Sequence, residues 1–131
     1  MIKFKKKEIL RNKKLIERLF NEGYSFMNYP FRITIIKFKA PDDISAKILV
    51  TISKKHFKNS VTRNLVRRRI KEAYRNKKDE FYKFLKYNGY EIVFSLSYIS
   101  NEILDYEKIE KSIKSILRKI EEILKKSTIV E

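Results

Sequence analysis

Apolar positions recur along this chain with two different periods, and the switches between them mark the elements. Over residues 8–22, Ile9, Leu10, Ile16, Leu19 and Phe20 mark an apolar side and Arg11, Lys14 and Arg18 a basic one. This pattern predicts a helix, which Gly23 is placed to stop. Residues 24–30 read as a loop, because Pro30 argues against a strand running into Phe31. From Phe31 to Phe38 the period falls to two: Phe31, Ile33 and Ile35 alternate with Arg32 and Thr34. From Ala46 to Ser53 it is two again, with Ile48, Val50 and Ile52 opposite Lys47, Leu49 and Thr51. With Ala40-Pro41-Asp42-Asp43 as the turn between them, these two segments are expected to pair as an antiparallel hairpin. A long helical pattern follows from about Ser60 to about Tyr82, with Asn59 or Ser60 able to cap it. Asn88-Gly89 is a turn, and Tyr90 to Leu96 is a mostly apolar, and therefore central, third strand. Asp105 can cap a last helix over 106–126, whose stripe is Ile109, Ile113, Ile116, Leu117, Ile120, Ile123 and Leu124.

The order helix-strand-strand-helix-strand-helix, with room for an extra short strand, predicts an α+β two-layer sandwich. At 131 residues the chain is expected to be one domain, 1–131, in which residues 1–7 and 127–131 are the candidates for disorder.

Charge changes this picture. The chain carries 32 basic and 16 acidic residues, and the excess is confined to two segments. Residues 1–18 hold eight basic and two acidic residues, and residues 54–78 hold eleven basic and one acidic; the rest is close to neutral. A concentrated field of one sign repels itself and is usually kept for a partner of the opposite sign. In the second segment Arg63, Arg67, Lys71 and Arg75 form an i, i+4 row, with Asn64 and Arg68 beside it and Val66, Ile70, Ala73 and Tyr74 on the opposite, core-facing side. Lys dominates elsewhere, yet Arg is concentrated here. Its planar fork matches two phosphate oxygens and stacks on bases, where Lys is a point charge. A solvated face is the plain alternative; nucleic acid is the favoured partner. A membrane partner is disfavoured, since the apolar face is an ordinary core stripe, and no run approaches the length of a membrane span.

Little else offers chemistry. There are no cysteines and a single histidine, His56, so neither a Cys-based zinc site nor a two-histidine arrangement is available. Asp42-Asp43 fall in a turn and Glu121-Glu122 on a helix surface. Hydrolysis of a phosphodiester by the protein would call for clustered carboxylates or a His pair. No metal site and no bound cofactor are therefore expected. The basic N-terminus is not followed by an apolar signal core, and the expected location is the cytoplasm.

The pattern Ser53-Lys54-Lys55, a spacer, then Arg63-Asn64-x-x-Arg67-Arg68-x-x-Lys71-Glu72 resembles the signature of the bacterial ribonuclease P protein subunit. Leu19-Phe20-x-x-Gly23 resembles that family's first-helix ending, and Asn88-Gly89-Tyr90-Glu91-Ile92-Val93-Phe94 its turn and third strand. Asp105-Tyr106-Glu107 with Ser112-Ile113 and Ile116-Leu117 resembles its last helix. Two positions depart from it: Leu65 stands where a third basic residue is usual, and Lys71 where Arg is commoner.

The resemblance implies a left-handed crossover placing the basic helix on the sheet. It also implies a contact with the catalytic RNA by Lys54, Lys55, Lys58, Arg63, Asn64, Arg67, Arg68, Lys71 and Arg75. A separate cleft beside the first helix would take the single-stranded 5′ leader of precursor tRNA, on Arg11, Lys14, Ile16, Phe20, Phe31 and Thr34. Ile16 and Thr34 stand where the family often has aromatics, so stacking there would be weaker; core packing competes as the role of Phe20 and Phe31. The RNA, with Mg2+, would remove the leader to give mature 5′ ends, and the protein alone would be monomeric. A ribosomal or assembly protein that binds structured RNA without processing it is the runner-up, and a DNA-groove binder is a third reading. Against the last, a strand rather than a short partner helix precedes the basic helix.

Overall fold

The computed structural model describes residues 6–38 and 44–126. A short 3-10 turn, Lys6–Glu8, precedes α1 (Lys13–Glu22), β1 (Tyr24–Asn28), β2 (Phe31–Lys37), β3 (Ala46–Ile52), α2 (Ser60–Asn88), β4 (Ile92–Tyr98) and α3 (Tyr106–Lys125). The four strands form one sheet in the order β1-β2-β4-β3. The α+β class and the element order are as expected, with β1 as the added short strand. The expectations for residues 1–5 and 127–131 lie outside the described residues.

Two local readings are corrected. Residues 24–28 are not loop: they pair antiparallel with β2, Tyr24 opposite Ile35 and Asn28 opposite Phe31. Pro30 lies beyond the ladder, in the Tyr29-Pro30 turn, where its missing N–H costs no sheet hydrogen bond. Nor do β2 and β3 form a hairpin. β4 lies between them, antiparallel to β2 and parallel to β3, so β3, α2 and β4 make a crossover unit. Alternation in a sequence gives a strand's faces but not its neighbour. The apolar sequence of β4 did mark it as an inner strand.

The parity of the strands divides the sheet cleanly. Phe31, Ile33 and Ile35 of β2, Ile48 and Ile52 of β3, and Phe94 and Leu96 of β4 join the core beneath α2 and α3. The other parity, Ile36 and Val93, meets Leu10, Leu15 and Leu19 in a smaller cluster under α1. One face is thus covered by two long helices and the other in part by one short helix.

Caps explain the boundaries. The Asn12 side chain accepts from the amides of Lys14 and Leu15, so α1 starts later than its apolar pattern suggests. Ile9 and Leu10 instead run along β3, where Ile9 bridges Ile48 and the Leu10 amide donates to the Ile48 carbonyl. Gly23 ends α1 for a steric reason: a Cβ there would lie 2.3 Å from the Leu19 carbonyl and 2.6 Å from Thr34 Cγ2. Its absence lets the helix end rest on β2. Asn59 caps α2 through the Val61 amide at 2.8 Å, and Asp105 caps α3 through Lys108 at 3.0 Å. α2 runs to Asn88, six residues past the expected end, because Phe81 and Leu85 continue its buried stripe. Gly89, at φ 71°, stops it in the left-handed region.

Candidate nucleic-acid interface

The loop before α2 is held from inside. Phe57 is buried, its ring 6.1 Å from that of Tyr98, and the Lys55 amide donates to Ser53 Oγ. Arg63 donates through Nη1 to the carbonyls of Phe57, at 2.7 Å, and Lys58, at 3.0 Å. This guanidinium therefore shapes the loop as well as adding charge. Lys54, Lys55 and Lys58, all exposed, are displayed from a fixed backbone.

Along α2 the helical row survives folding. Asn64, Arg67, Arg68, Lys71, Glu72 and Arg75, with Ile9 of the N-terminal segment, line a groove of about 380 Å³. Asn64 Oδ1 accepts from Arg67 at 3.3 Å, so the amide orients an arginine. Arg75 donates through Nε to Glu72 at 3.2 Å and through Nη2 to the other carboxylate oxygen. That hydrogen bonding holds the Glu72 carboxyl below its ordinary value and raises Arg75. Among the described residues the side chains of Arg68 and Lys71 meet no partner, which leaves their donors open to a polyanion. Arg69 points elsewhere, donating to the Leu104 carbonyl at 2.7 Å. It straps α2 to the loop before α3 and does not replace the basic residue missing at Leu65.

On the buried side of α2 lies a feature the sequence did not announce. Lys78 is 2% exposed and donates to both carboxylate oxygens of Glu8, at 2.8 and 2.7 Å. Tyr82 donates to the same carboxylate, and Tyr74 meets Tyr82 at 3.0 Å. Burial pushes both phenols far above their ordinary value, so they remain protonated donors. The network ties the N-terminal turn to the helix behind the basic row.

The residues expected at the second cleft divide. Leu15 and Leu19 face the sheet. At about 100° per residue, Ile16 and Phe20 fall on one flank of α1 and Lys14 and Arg18 on the other, while Arg11 precedes the helix. Arg11 and Arg18 do line different pockets, with Lys47 and with Lys37 respectively. Phe31 leaves the candidate site altogether. It is 0% exposed on the opposite face, edge-on to Tyr98 with ring centroids 5.6 Å apart. Phe31 and Thr34 are three apart on one strand, so they cannot share a face. Thr34 is on the α1 side but 3% exposed, its hydroxyl 2.9 Å from that of Ser25.

Phe20 is 48% exposed, and the α1 side of the sheet carries a hydroxyl-rich shelf that the expectation missed. In register across the sheet lie Ser25, Thr34 and Ser95, then Met27, Arg32, Ser97 and Thr51. Thr51 donates to Ser97 at 2.9 Å, whereas the buried Ser95 hydroxyl has no partner among the described residues. The shelf's cation is Arg32, exposed and of the same strand parity as Thr34. That parity was the available signal.

Among the described residues there is no group of three or more His, Cys, Asp or Glu arranged to hold a metal ion, and no helix long and apolar enough to cross a membrane.

Comparison with known proteins bears on this geometry. A family model described as Ribonuclease P matches residues 4–121. The chain is 39% identical over 102 residues to the ribonuclease P protein component of Clostridioides difficile, covering 78% of this chain and 82% of that one. It is 32% identical over 121 residues to that of Petrotoga mobilis, covering 90% and 95%. Of solved structures, the RNase P protein from Thermotoga maritima is similar at TM-score 0.65 and 18% identity, covering 86% of this chain and 96% of that chain. The Staphylococcus aureus RNase P protein is similar at TM-score 0.64 and 18% identity, covering 86% and 94%. At these identities the structural likeness concerns the fold.

Proposed function

The chain belongs to the ribonuclease P protein family, and from that premise we propose that α2 and its preceding loop dock the catalytic RNA while the α1 shelf grips the 5′ leader of precursor tRNA. The observation that carries the first half is the row Asn64, Arg67, Arg68 and Lys71, held on a rigid helix with Arg68 and Lys71 bonded to no partner among the described residues. Guanidinium and ammonium groups of this kind displace counterions from phosphates and fix the register of an RNA helix without reading bases. Lys54, Lys55 and Lys58 extend the same field from the loop, and Arg63 holds that loop in place. Arg75 joins once Glu72 releases it.

For the leader, Phe20 offers a half-exposed ring for base stacking, Ile16 an apolar edge, and Arg32 a charge beside the hydroxyls of Ser97 and Thr51. Lys14, on the far flank of α1, and Arg11, just before that helix, act on RNA that continues past it. Cutting belongs to the RNA and the Mg2+ bound to it. The protein's groups gather phosphates, which lowers the repulsion between two RNAs and the magnesium needed to bring them together. The protein works in the cytoplasm and is a monomer before it meets RNA.

Reconstitution tests this reading. The protein is mixed with a cognate ribonuclease P RNA and precursor tRNA at low magnesium, and 5′ maturation absent from either component alone should appear. Cleavage by the purified polypeptide without RNA, or no gain over the RNA alone, would defeat it.

A further inference from the structure

A second aromatic surface lies outside both the basic groove of α2 and the α1 shelf. The β1–β2 turn, the loop before α3 and the first turns of α3 enclose a pocket of about 470 Å³ lined by residues that include Tyr29, Pro30, Leu104, Lys108, Lys111 and Glu102. Tyr29 is 63% exposed, yet it is fixed at both ends. Its hydroxyl lies 2.9 Å from the buried Ser100 hydroxyl, and its carbonyl accepts from Ser112 at 3.0 Å. Its neighbour Asn28 donates to Ser115 at 3.1 Å. An exposed ring normally keeps its rotamer freedom, and ordering it on binding costs free energy. Here the fold has already ordered it.

The surroundings of the ring define its complement. Pro30 and Leu104, both buried, give an apolar floor. Lys108 and Lys111 are exposed, and among the described residues their ammonium groups have no partner. Lys114 and Arg118 continue the cationic strip along α3. Among the described residues lining the pocket the one carboxylate is that of Glu102, an acceptor suited to an exocyclic amino group of a base. A flat apolar ring, two phosphate-seeking ammonium groups at its side and a single acceptor correspond to one nucleotide unit, base and backbone together.

We infer that this pocket binds an unpaired nucleotide of an RNA strand, its base stacked on Tyr29 and its phosphates held by Lys108 and Lys111. The site shares no lining residue with the basic groove and does not depend on the docking role of α2, and it gives the protein a third hold on RNA.

The chain has no tryptophan, so Tyr29→Trp places a lone reporter in the pocket. Titrating the full chain bearing Tyr29→Trp with oligoadenylate of about five nucleotides should quench its fluorescence saturably, as stacked bases do. Adding Lys108→Glu with Lys111→Glu should weaken that binding by about tenfold or more. Adding Arg67→Ala with Arg68→Ala instead should leave the midpoint within about twofold. No quenching, or quenching lost with the α2 changes and kept with the α3 changes, would overturn the inference. In the unsubstituted chain, a photo-crosslink from an oligonucleotide containing thiouridine should map to the peptide around Tyr29; crosslinks confined to α1 and α2 would equally refute it. Neither measurement uses the ribonuclease P RNA, so failure here and failure of the reconstitution are separate results.

Discussion

α2 has two flanks, and they treat charge in opposite ways. On the inner flank, between Tyr74 and Phe81, Lys78 is buried and closed off by Glu8 and Tyr82. On the outer flank Arg68 is exposed and Lys71 half-buried, and neither has a partner among the described residues. The residue types are alike; what differs is whether the protein supplies the counter-charge. A buried ammonium must be paired, because removing it from water costs several kcal/mol that only good geometry offsets. An exposed guanidinium keeps its hydration cheaply and gives it up when phosphates arrive. Arg63 and Arg69 are intermediate, each committed to backbone carbonyls at a loop. The inner flank is therefore about folding and the outer about partners, and the two can be broken separately.

The largest effect should come from the inner flank. Glu8→Ala leaves Lys78 charged and buried, and should cost about 3–5 kcal/mol in denaturant unfolding. Replacing the pair together, Glu8→Leu with Lys78→Met, should cost much less, since no lone charge remains. If the single and double changes were equally mild, the clasp would not be holding the N-terminal turn, and the contrast between flanks would fail.

On the outer flank Arg67→Ala should weaken binding to ribonuclease P RNA by about 1–3 kcal/mol, as for a charge-assisted contact. Unfolding should shift by no more than about 0.5 kcal/mol, as for a surface site. Filter binding and a denaturant melt on the same sample would check both. The affinity of the parent protein should also fall steeply between low and moderate salt. A flat response would point away from a phosphate surface.

The contrast was half legible in the sequence. The outer row was plain, because charges four apart on an amphipathic helix need no tertiary information, and the caps, Asn59 or Ser60 for α2 and Asp105 for α3, were readable for the same reason. The Glu8–Lys78 pair was not: its members are seventy residues apart, and no local pattern distinguishes a lysine that will be buried. Strand neighbours were equally out of reach, since β4 enters between β2 and β3 from beyond α2. β1 was hidden by Pro30, a breaker that sits just past the ladder. Two placements at the leader site were already legible. Strand parity already set Phe31 against Thr34, and helical spacing already set Lys14 against Ile16 once Leu15 is seen to face the sheet.

That parity makes the next prediction specific. Phe20→Ala should weaken binding of precursor tRNA by about 1 kcal/mol, the lower part of the range for one stacked base. Affinity for mature tRNA, which has no leader, should not change. Arg32→Ala should act in the same selective way, and equal losses for precursor and mature tRNA would move both residues off the leader path.

The smallest effect tests where the outer flank ends. Glu72 holds Arg75 at the rim of the basic groove and adds a negative charge there. Glu72→Gln removes that charge and loosens the guanidinium. RNA binding should tighten by about twofold, because an exposed pair of this kind is weak. The gain should shrink as salt screens it, so titrations at two ionic strengths are the useful comparison. Weaker binding would mean that the carboxylate orients the Arg75 fork for its phosphate, a gain from pre-ordering larger than the repulsion it brings. Arg75 would then join Arg63 and Arg69 as an arginine set by the protein itself, and the uncommitted surface of α2 would stop at Lys71.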